Sequence, residues 1–188
     1  MYKRQECNVG GEFMNPEFQE RVKAIGNDKI KFNGSEQAFL SEEEIRNLNI
    51  PKGTLLPEER EIINDHIVIT IEMLEQLPYP KNLKNVPEFA GGHHEKMDGT
   101  GYPKGLNSSQ MSTQAKIMAI ADIYEALTAA DRPYKDGKKL SQAMRIMGFM
   151  KNDYHIDVDL FDIFVKQKIY MKYAKGFLEP EQIDEVNI

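Results

Sequence analysis

The segment from His93 to Pro103 gathers metal-binding side chains in a stretch of chain that cannot remain helical. It reads HHEKMDGTGYP. Imidazoles and carboxylates are common ligands of transition metals, and Gly99 and Gly101 allow positive φ and a close approach of the backbone to a ligand. Pro103 stiffens the exit from the turn. The segment therefore indicates a metal site whose ligands are followed at once by a tight turn.

The two adjacent histidines limit how a metal is shared. On a helix, the side chains of His93 and His94 point about 100° apart. This favours two neighbouring ions, or one ion and one bridging group, over a single shared ion. An isolated His-His pair also occurs at surfaces and helix caps, but the glycine- and proline-containing turn that follows favours the metal interpretation.

Two further residues are candidate ligands. His66 lies in an apolar stripe, where a histidine either has a partner in the core or binds a metal. Asp122 lies among apolar residues of a predicted helix, and burying its carboxylate is costly unless an arginine, a helix N-terminus or a cation satisfies it. With His93 and His94 they form a set suited to iron, manganese or zinc, and the carboxylate favours the harder ions.

These residues depend on a mainly helical framework. Ser41 and Glu44 form a capping box, and Asn33-Gly34 allows a short hairpin turn within residues 29–40. Caps, prolines and glycines delimit the predicted helices, which cover residues 15–26, 41–49, 57–76, 87–94, 112–130, 141–151 and 157–174. The predicted core stripe around His66 consists of Ile62, Ile63, Ile69, Met73 and Leu77. The sequence predicts an all-α fold.

Composition restricts the partners. The chain has 188 residues and a net charge of −6, which argues against nucleic acid or an anionic membrane surface as a partner. No apolar run is long enough to span a membrane. The single cysteine, Cys7, cannot form an internal disulfide, and this fits a cytoplasmic location.

The HHEKMDGTGYP segment matches, without a gap, the HHExxDGxGYP signature of the HD-GYP phosphodiesterases, which this chain resembles. Residues 57–66 resemble the family's helix that carries a histidine ligand, and residues 121–135 resemble its aspartate helix and the RPY[KR] segment after it. The intervals of 27 residues from His66 to His93 and 28 from His94 to Asp122 also agree. The resemblance covers roughly residues 36–150.

The resemblance implies an HD-domain-like helical bundle that hydrolyses cyclic di-GMP with about two or three divalent ions, iron or manganese being favoured. It assigns His66, His93, His94 and Asp122 as metal ligands. It assigns Tyr102, Arg132 and Lys135 as the groups that hold the substrate phosphates. The catalytic residue stays unassigned, because a water activated by metal is expected to attack the phosphate.

Two departures from the family limit the expected activity. No His-Asp doublet occurs in the sequence, and Glu125 stands where the family usually has Asp. We therefore predict a C-terminal fragment of a larger protein, weakly active or inactive alone; a naturally degenerate protein is the second possibility. Its predicted parts are a lead-in over residues 1–40, the C-terminal part of the HD-GYP domain over 41–152 and a helical extension over 153–188.

Two other classes of function remain open. In the first, the chain is a non-catalytic module whose Gly-Tyr-Pro loop binds a signalling protein. In the second, it is a related HD-type hydrolase of another nucleotide, because the motif restricts the metal chemistry more closely than the base.

Overall fold

The computed structural model describes residues 13–130 and 137–187, and the chain divides into two compact units between Ile63 and Asn64. From the N-terminus, the elements are helix α1 (Pro16–Gly26), strands β1 (Lys29–Phe32) and β2 (Ser35–Ala38), and helices α2 (Glu42–Leu48) and α3 (Pro57–Asn64). Then follow α4 (His66–Glu75), α5 (Val86–Gly91), α6 (Thr113–Thr128), α7 (Leu140–Asn152), α8 (Val158–Lys166) and α9 (Ile169–Phe177), with 3₁₀ turns at Lys81–Leu83 and Pro180–Gln182. The fold is mainly helical, as the sequence predicts.

Local sequence signals place a helix start and a hairpin of the first unit correctly. The backbone N–H of Glu44 donates to the Ser41 hydroxyl, and the Ser41 N–H donates to the Glu44 carboxylate, which completes the capping box. Strands β1 and β2 pair antiparallel around Asn33 and Gly34. Both turn residues have positive φ, 50° and 82°, as a tight hairpin with the right-handed strand twist requires.

Three predicted helices end or break earlier than expected. The helix predicted over residues 57–76 is two helices, α3 and α4, separated by Asp65. The Asp65 side chain makes no cap hydrogen bond, and Asp has a low intrinsic helix propensity. The helix predicted over 157–174 breaks before α9 at Lys168, whose φ of 50° cannot continue a right-handed helix. Helix α5 ends at Gly91, so His93 and His94 lie in the turn that follows.

The predicted core stripe of α3 and α4 is wrong. Its five apolar residues are all at least half exposed: Ile62, Ile63, Ile69, Met73 and Leu77. Helix α4 instead buries Ile67 and Ile71, and the side chain of Ile71 lies against Gly91 of α5. The helical spacing of apolar residues shows where apolar positions lie. Which of them are buried depends on the helix that packs against α4, here α5.

The main hydrophobic core of the second unit is formed by helices α6, α7, α8 and α9. Its buried members are Ile120, Tyr124, Leu140, Met144, Met147, Ile156, Phe161, Tyr170 and Ala174. A smaller cluster of Met97, Met111 and Ala115 lies under the loop after the histidines. Residues beyond 152 thus contribute to the same core as α6; the predicted boundary at 152 stays a prediction. Within the described ranges, no helix has the length and apolar character needed to cross a bilayer.

Candidate metal centre

The orientation of His93 is fixed by the end of helix α5. Its Nδ1 lies 2.6 Å from the carbonyl oxygen of Ala90. Because a carbonyl oxygen can only accept, Nδ1 carries the proton in this contact. The neutral ring therefore has its lone pair on Nε2, and a histidine held in this way by a backbone carbonyl is a common arrangement of metal ligands.

His66 comes from a different part of the chain and lies close to His94, the neighbour of His93 in sequence. His66 is the first residue of α4, and its Nε2 lies 3.4 Å from Nε2 of His94. Two nitrogens that share one tetrahedral ion at bond lengths of about 2.0–2.1 Å lie about 3.4 Å apart. One ligand atom from each of the three histidines lies within 4.8 Å of the others. The donor set therefore fits a divalent cation.

The predicted helical separation of the His93 and His94 side chains is wrong, whereas the expectation that they serve neighbouring ions stays a prediction. The 100° separation applies to a helix, whereas both residues lie in the turn after α5. Their ring centroids are 4.2 Å apart with an angle of 44° between the planes. The turn brings the two rings to the same side of the chain, which a helix does not do.

The electrostatic environment favours the ligand form of His94. Burial lowers the pKa of His94, and the neighbouring His93 and His66 act in the same direction, whereas the Asp122 carboxylate opposes them. A lower pKa keeps the imidazole neutral at neutral pH. Because a metal binds neutral imidazole, protons compete less with the cation at this position.

Asp122 does not join the histidine group. It is exposed on α6, and within the described part of the chain the ligand atoms that lie within 4.8 Å of one another come from the three histidines. Its charge nevertheless acts on His94. The proposed role of Asp122 as a ligand stays a prediction.

Tyr102 lies directly against the histidines. Its ring stacks on that of His94, with 4.8 Å between the centroids and 18° between the planes. Its backbone N–H donates to the His94 carbonyl oxygen at 3.2 Å. The Gly-Tyr-Pro turn thus folds back over the cluster. Arg132 and Lys135 lie outside the described residues, and their role stays a prediction.

Two acidic residues of the motif, Glu95 and Asp98, shape this turn, and neither has a role predicted from the sequence. The Asp98 carboxylate accepts from the Thr100 N–H and hydroxyl at 2.9 and 2.8 Å. These bonds lower the pKa of Asp98. The buried Glu95 accepts two backbone N–H groups of the loop. The role of Asp98 was predictable from the sequence, because an Asp in a turn typically accepts a hydrogen bond from the backbone N–H two residues later.

The fourth histidine belongs to a different environment. His155 is half-buried beyond α7. Burial lowers its pKa, and so does the charge of Lys96, whereas Asp98 and Asp153 oppose the shift. The chain beyond α7 therefore lies close enough to the motif loop for their charges to interact.

The chain is similar to known proteins over much of its length. The family model described as "HD domain" matches residues 42–160. The chain is 42% identical over 81 residues to a 3′3′-cGAMP-specific phosphodiesterase (number 1) of Vibrio cholerae, which is 43% of this chain and 19% of that protein. It is 46% identical over 74 residues to a cyclic di-GMP phosphodiesterase of Pseudomonas aeruginosa, which is 39% of this chain and 17% of that protein.

A third relative extends the comparison. The chain is 40% identical over 93 residues, half of its length, to a cyclic di-GMP phosphodiesterase of Thermotoga maritima. The match covers 25% of that protein. The chain therefore spans about a quarter or less of the length of these relatives.

Proposed function

The chain belongs to the HD domain family, and within it to the HD-GYP phosphodiesterases, and on that premise we propose that it supplies part of a metal-dependent site that hydrolyses cyclic di-GMP in the cytoplasm. One observation carries the proposal: three histidines from two separate elements place a ligand atom each within 4.8 Å of the others, next to the ring of Tyr102. A metal-binding group beside an aromatic hydroxyl suits a phosphodiester substrate.

The three histidines and Asp122 would hold the cations. A divalent cation supplies Lewis-acid activation of the phosphate and of the attacking water. We propose iron or manganese, because the Asp122 carboxylate is a hard ligand and imidazole suits both metals. The carbonyl of Ala90 keeps the Nε2 lone pair of His93 available for the cation.

The phosphate contacts come from three other side chains. The Tyr102 hydroxyl donates to a non-bridging phosphate oxygen while its ring stays stacked on His94. Arg132 offers a planar pair of N–H groups, and Lys135 offers a compact positive charge. Charge-assisted hydrogen bonds of this kind fix the position of a phosphate more strongly than neutral ones.

A second substrate has specific support. The relative from Vibrio cholerae is named for 3′3′-cGAMP and not for cyclic di-GMP. Both are cyclic dinucleotides with two phosphodiester bonds, so the same metal and phosphate contacts serve either, and discrimination belongs to the base contacts. We propose a cyclic dinucleotide as the substrate class and cyclic di-GMP as the first member to test.

The experiment uses the 188-residue chain with Mn²⁺ or Fe²⁺ and follows both cyclic dinucleotides by chromatography. We expect slow metal-dependent cleavage, because the sequence has no His-Asp doublet. We expect this cleavage to disappear with a chelator or in His93→Ala. Absence of metal binding would contradict the proposal. Rapid turnover would contradict the expectation that the chain has little activity alone.

The same variant tests the non-catalytic alternative. Lys104 and Gly105, after the Gly-Tyr-Pro turn, are exposed and available to a signalling protein. If the chain is only an interaction module, replacing residues 101–103 abolishes partner binding, whereas His93→Ala leaves it intact. An enzyme shows the opposite sensitivity to the histidine change.

A further inference from the structure

A buried carboxylate holds the loop that carries Tyr102. Glu95 is only 2% exposed, although it follows the two histidines directly. One of its oxygens accepts the backbone N–H of Lys104 at 2.7 Å, and the other accepts that of Leu106 at 2.8 Å. Hydrogen bonds to an ionised acceptor are among the strong ones in proteins. The carboxylate therefore joins the far end of the loop to the histidine turn.

The near end of the same loop lies on the backbone of Glu95. A Cβ at Gly101 would lie 2.4–2.6 Å from backbone atoms of Glu95 and Lys96, so the two chain segments are in direct contact there. The N–H of Tyr102 donates to the His94 carbonyl oxygen at 3.2 Å. The residues on both sides of the Tyr102 side chain are thus attached to the histidine turn, and the ring has little freedom to leave His94.

The burial and the contacts of Glu95 favour a structural role over two more direct ones. Each carboxylate oxygen already accepts a short hydrogen bond from the loop, and the side chain has almost no solvent access. Within the described residues, the group of potential metal ligands contains the histidines and not Glu95. A buried acceptor that is occupied on both oxygens is suited to hold a loop and not to bind a cation or move a proton.

We propose that Glu95 is a positioning residue: it fixes Tyr102 on the ring of His94 and thereby controls binding of the cyclic dinucleotide, while leaving the affinity of the three histidines for a cation unchanged. The part concerning the dinucleotide rests on the proposed function. The part concerning Tyr102 rests on the contacts of Glu95 alone.

Glu95→Gln is the most conservative test. The side-chain shape is retained, but one oxygen becomes an NH₂ group, which faces a backbone N–H of the loop as a second donor. That loop amide loses its acceptor, and a buried unsatisfied donor is costly. We expect the loop to detach at one end. Glu72→Gln, an exposed position on α4, is the matched control for loss of a negative charge.

Three measurements separate positioning from general stability. The ring of Tyr102 shifts the His94 ring protons upfield in the NMR spectrum, and Tyr102→Ala gives their position without stacking. In Glu95→Gln we expect the His94 signals to move most of the way to that position. We expect at least tenfold weaker binding of cyclic di-GMP in the presence of Mn²⁺, and an Mn²⁺ dissociation constant within about twofold of the wild-type value. Far-UV circular dichroism checks that the variant is folded.

A second pair of variants acts from the loop and keeps the carboxylate. Lys104→Pro removes the N–H that Glu95 accepts, whereas Lys104→Ala retains it; the Lys104 side chain is exposed. We expect the proline variant to reproduce the Glu95→Gln result and the alanine variant to resemble the wild type. This pair decides the question if Glu95→Gln does not fold.

The outcomes separate this inference from the proposed function. Unchanged His94 signals in both Glu95→Gln and Lys104→Pro overturn the positioning role, and so does a parallel loss of Mn²⁺ affinity, which would make Glu95 part of the metal site. If the wild-type chain binds neither cyclic di-GMP nor 3′3′-cGAMP, the proposed function fails. The His94 signals then still decide whether Glu95 positions Tyr102.

Discussion

Helix α6 belongs to two regions that are held together by different forces. Its residues Ile120 and Tyr124 lie in the core formed with α7, α8 and α9, where Leu140 and Met144 have no solvent exposure. Its residue Ala115 lies in the small cluster beneath the motif loop. The first region is stabilised mainly by burial of apolar surface, which is not directional. The second also buries a few apolar side chains, but its loop is held in place by hydrogen bonds of fixed direction.

This difference assigns separate tasks to the two regions. Apolar burial stabilises a fold but does not specify the direction of an imidazole ring. The bonds from His93 to Ala90 and from the loop to Glu95 do specify directions, yet they involve few atoms. We therefore expect changes in the core to act on stability and changes in the loop to act on the site.

The largest effect is expected in the core. Phe161 is 2% exposed, and Phe161→Ala should lower the free energy of unfolding by about 3–5 kcal/mol, measured by urea denaturation. Phe161→Leu, which retains most of the volume, should cost less. In protein that is still folded, Mn²⁺ affinity should stay within about twofold of wild type. A loss of affinity in step with stability would show that the two regions are not separable.

The converse change is at the site. His93→Ala should weaken Mn²⁺ binding by at least about a hundredfold, since removing even a partner that orients a ligand costs about 10–100-fold. Titration calorimetry measures the affinity, and unfolding of the metal-free protein should change by about 1 kcal/mol or less. His155→Ala is the control, because His155 is the one histidine in the sequence outside the proposed ligand set. Equal loss in both variants would remove the basis for the assigned site.

Replacing two glycines by alanine should change stability by a smaller amount, and in opposite directions. A Cβ at Gly101 meets backbone at 2.4–2.6 Å, so Gly101→Ala should destabilise the protein by about 1–3 kcal/mol and displace Tyr102. At Gly148, within α7, a Cβ meets nothing within 4 Å. Gly148→Ala should therefore stabilise by about 0.4–1 kcal/mol. Thermal unfolding of both variants tests this, and a stabilised Gly101→Ala would contradict the close approach of the loop.

The smallest effect is expected where α8 is joined to α6. Asp157 caps α8 and lies 3.1 Å from the Lys116 ammonium group. Burial alone would raise the pKa of Asp157, but hydrogen bonds from the Leu160 N–H and from Lys116 outweigh it, and the net pKa is lowered.

The sign of the pH dependence follows from this shift. The stabilisation is present above the ordinary Asp pKa of about 3.9 and is lost as the pH falls through the lower pKa of the folded state. Asp157→Asn keeps a good cap but removes the charge, so it should cost about 1 kcal/mol or less at pH 7 and flatten this part of the stability–pH curve. An unchanged acid limb in urea titrations would contradict the role of the ion pair.

Several features of the fold follow from local sequence because their causes are local. The capping box of Ser41 and Glu44 and the Asn33-Gly34 turn are formed by residues within three positions of one another. Whether Asp65 interrupts a helix is harder to predict, because the free-energy difference between one helix and two depends on small differences in helix propensity. The sequence signal for one continuous helix was therefore too weak to decide between one helix and two.

The motif itself identifies the metal-binding residue types, the turn after them and the family. It does not identify the role of Glu95, because that role depends on where the N–H groups of Lys104 and Leu106 lie after the loop has closed. It also does not place Asp122, which the pattern of apolar neighbours made a candidate for burial and which is exposed in the structure.

The sequence alone determined which residues can bind a metal and where the chain must turn, because both depend on side-chain chemistry and on glycine and proline within a few residues. The tertiary structure decided which face of α4 is buried, how close His66 comes to His94, and what Glu95 holds. Those properties depend on contacts between segments that are distant in sequence or joined through a folded loop. Periodicity and residue type contain no information on such distances until the segments have packed.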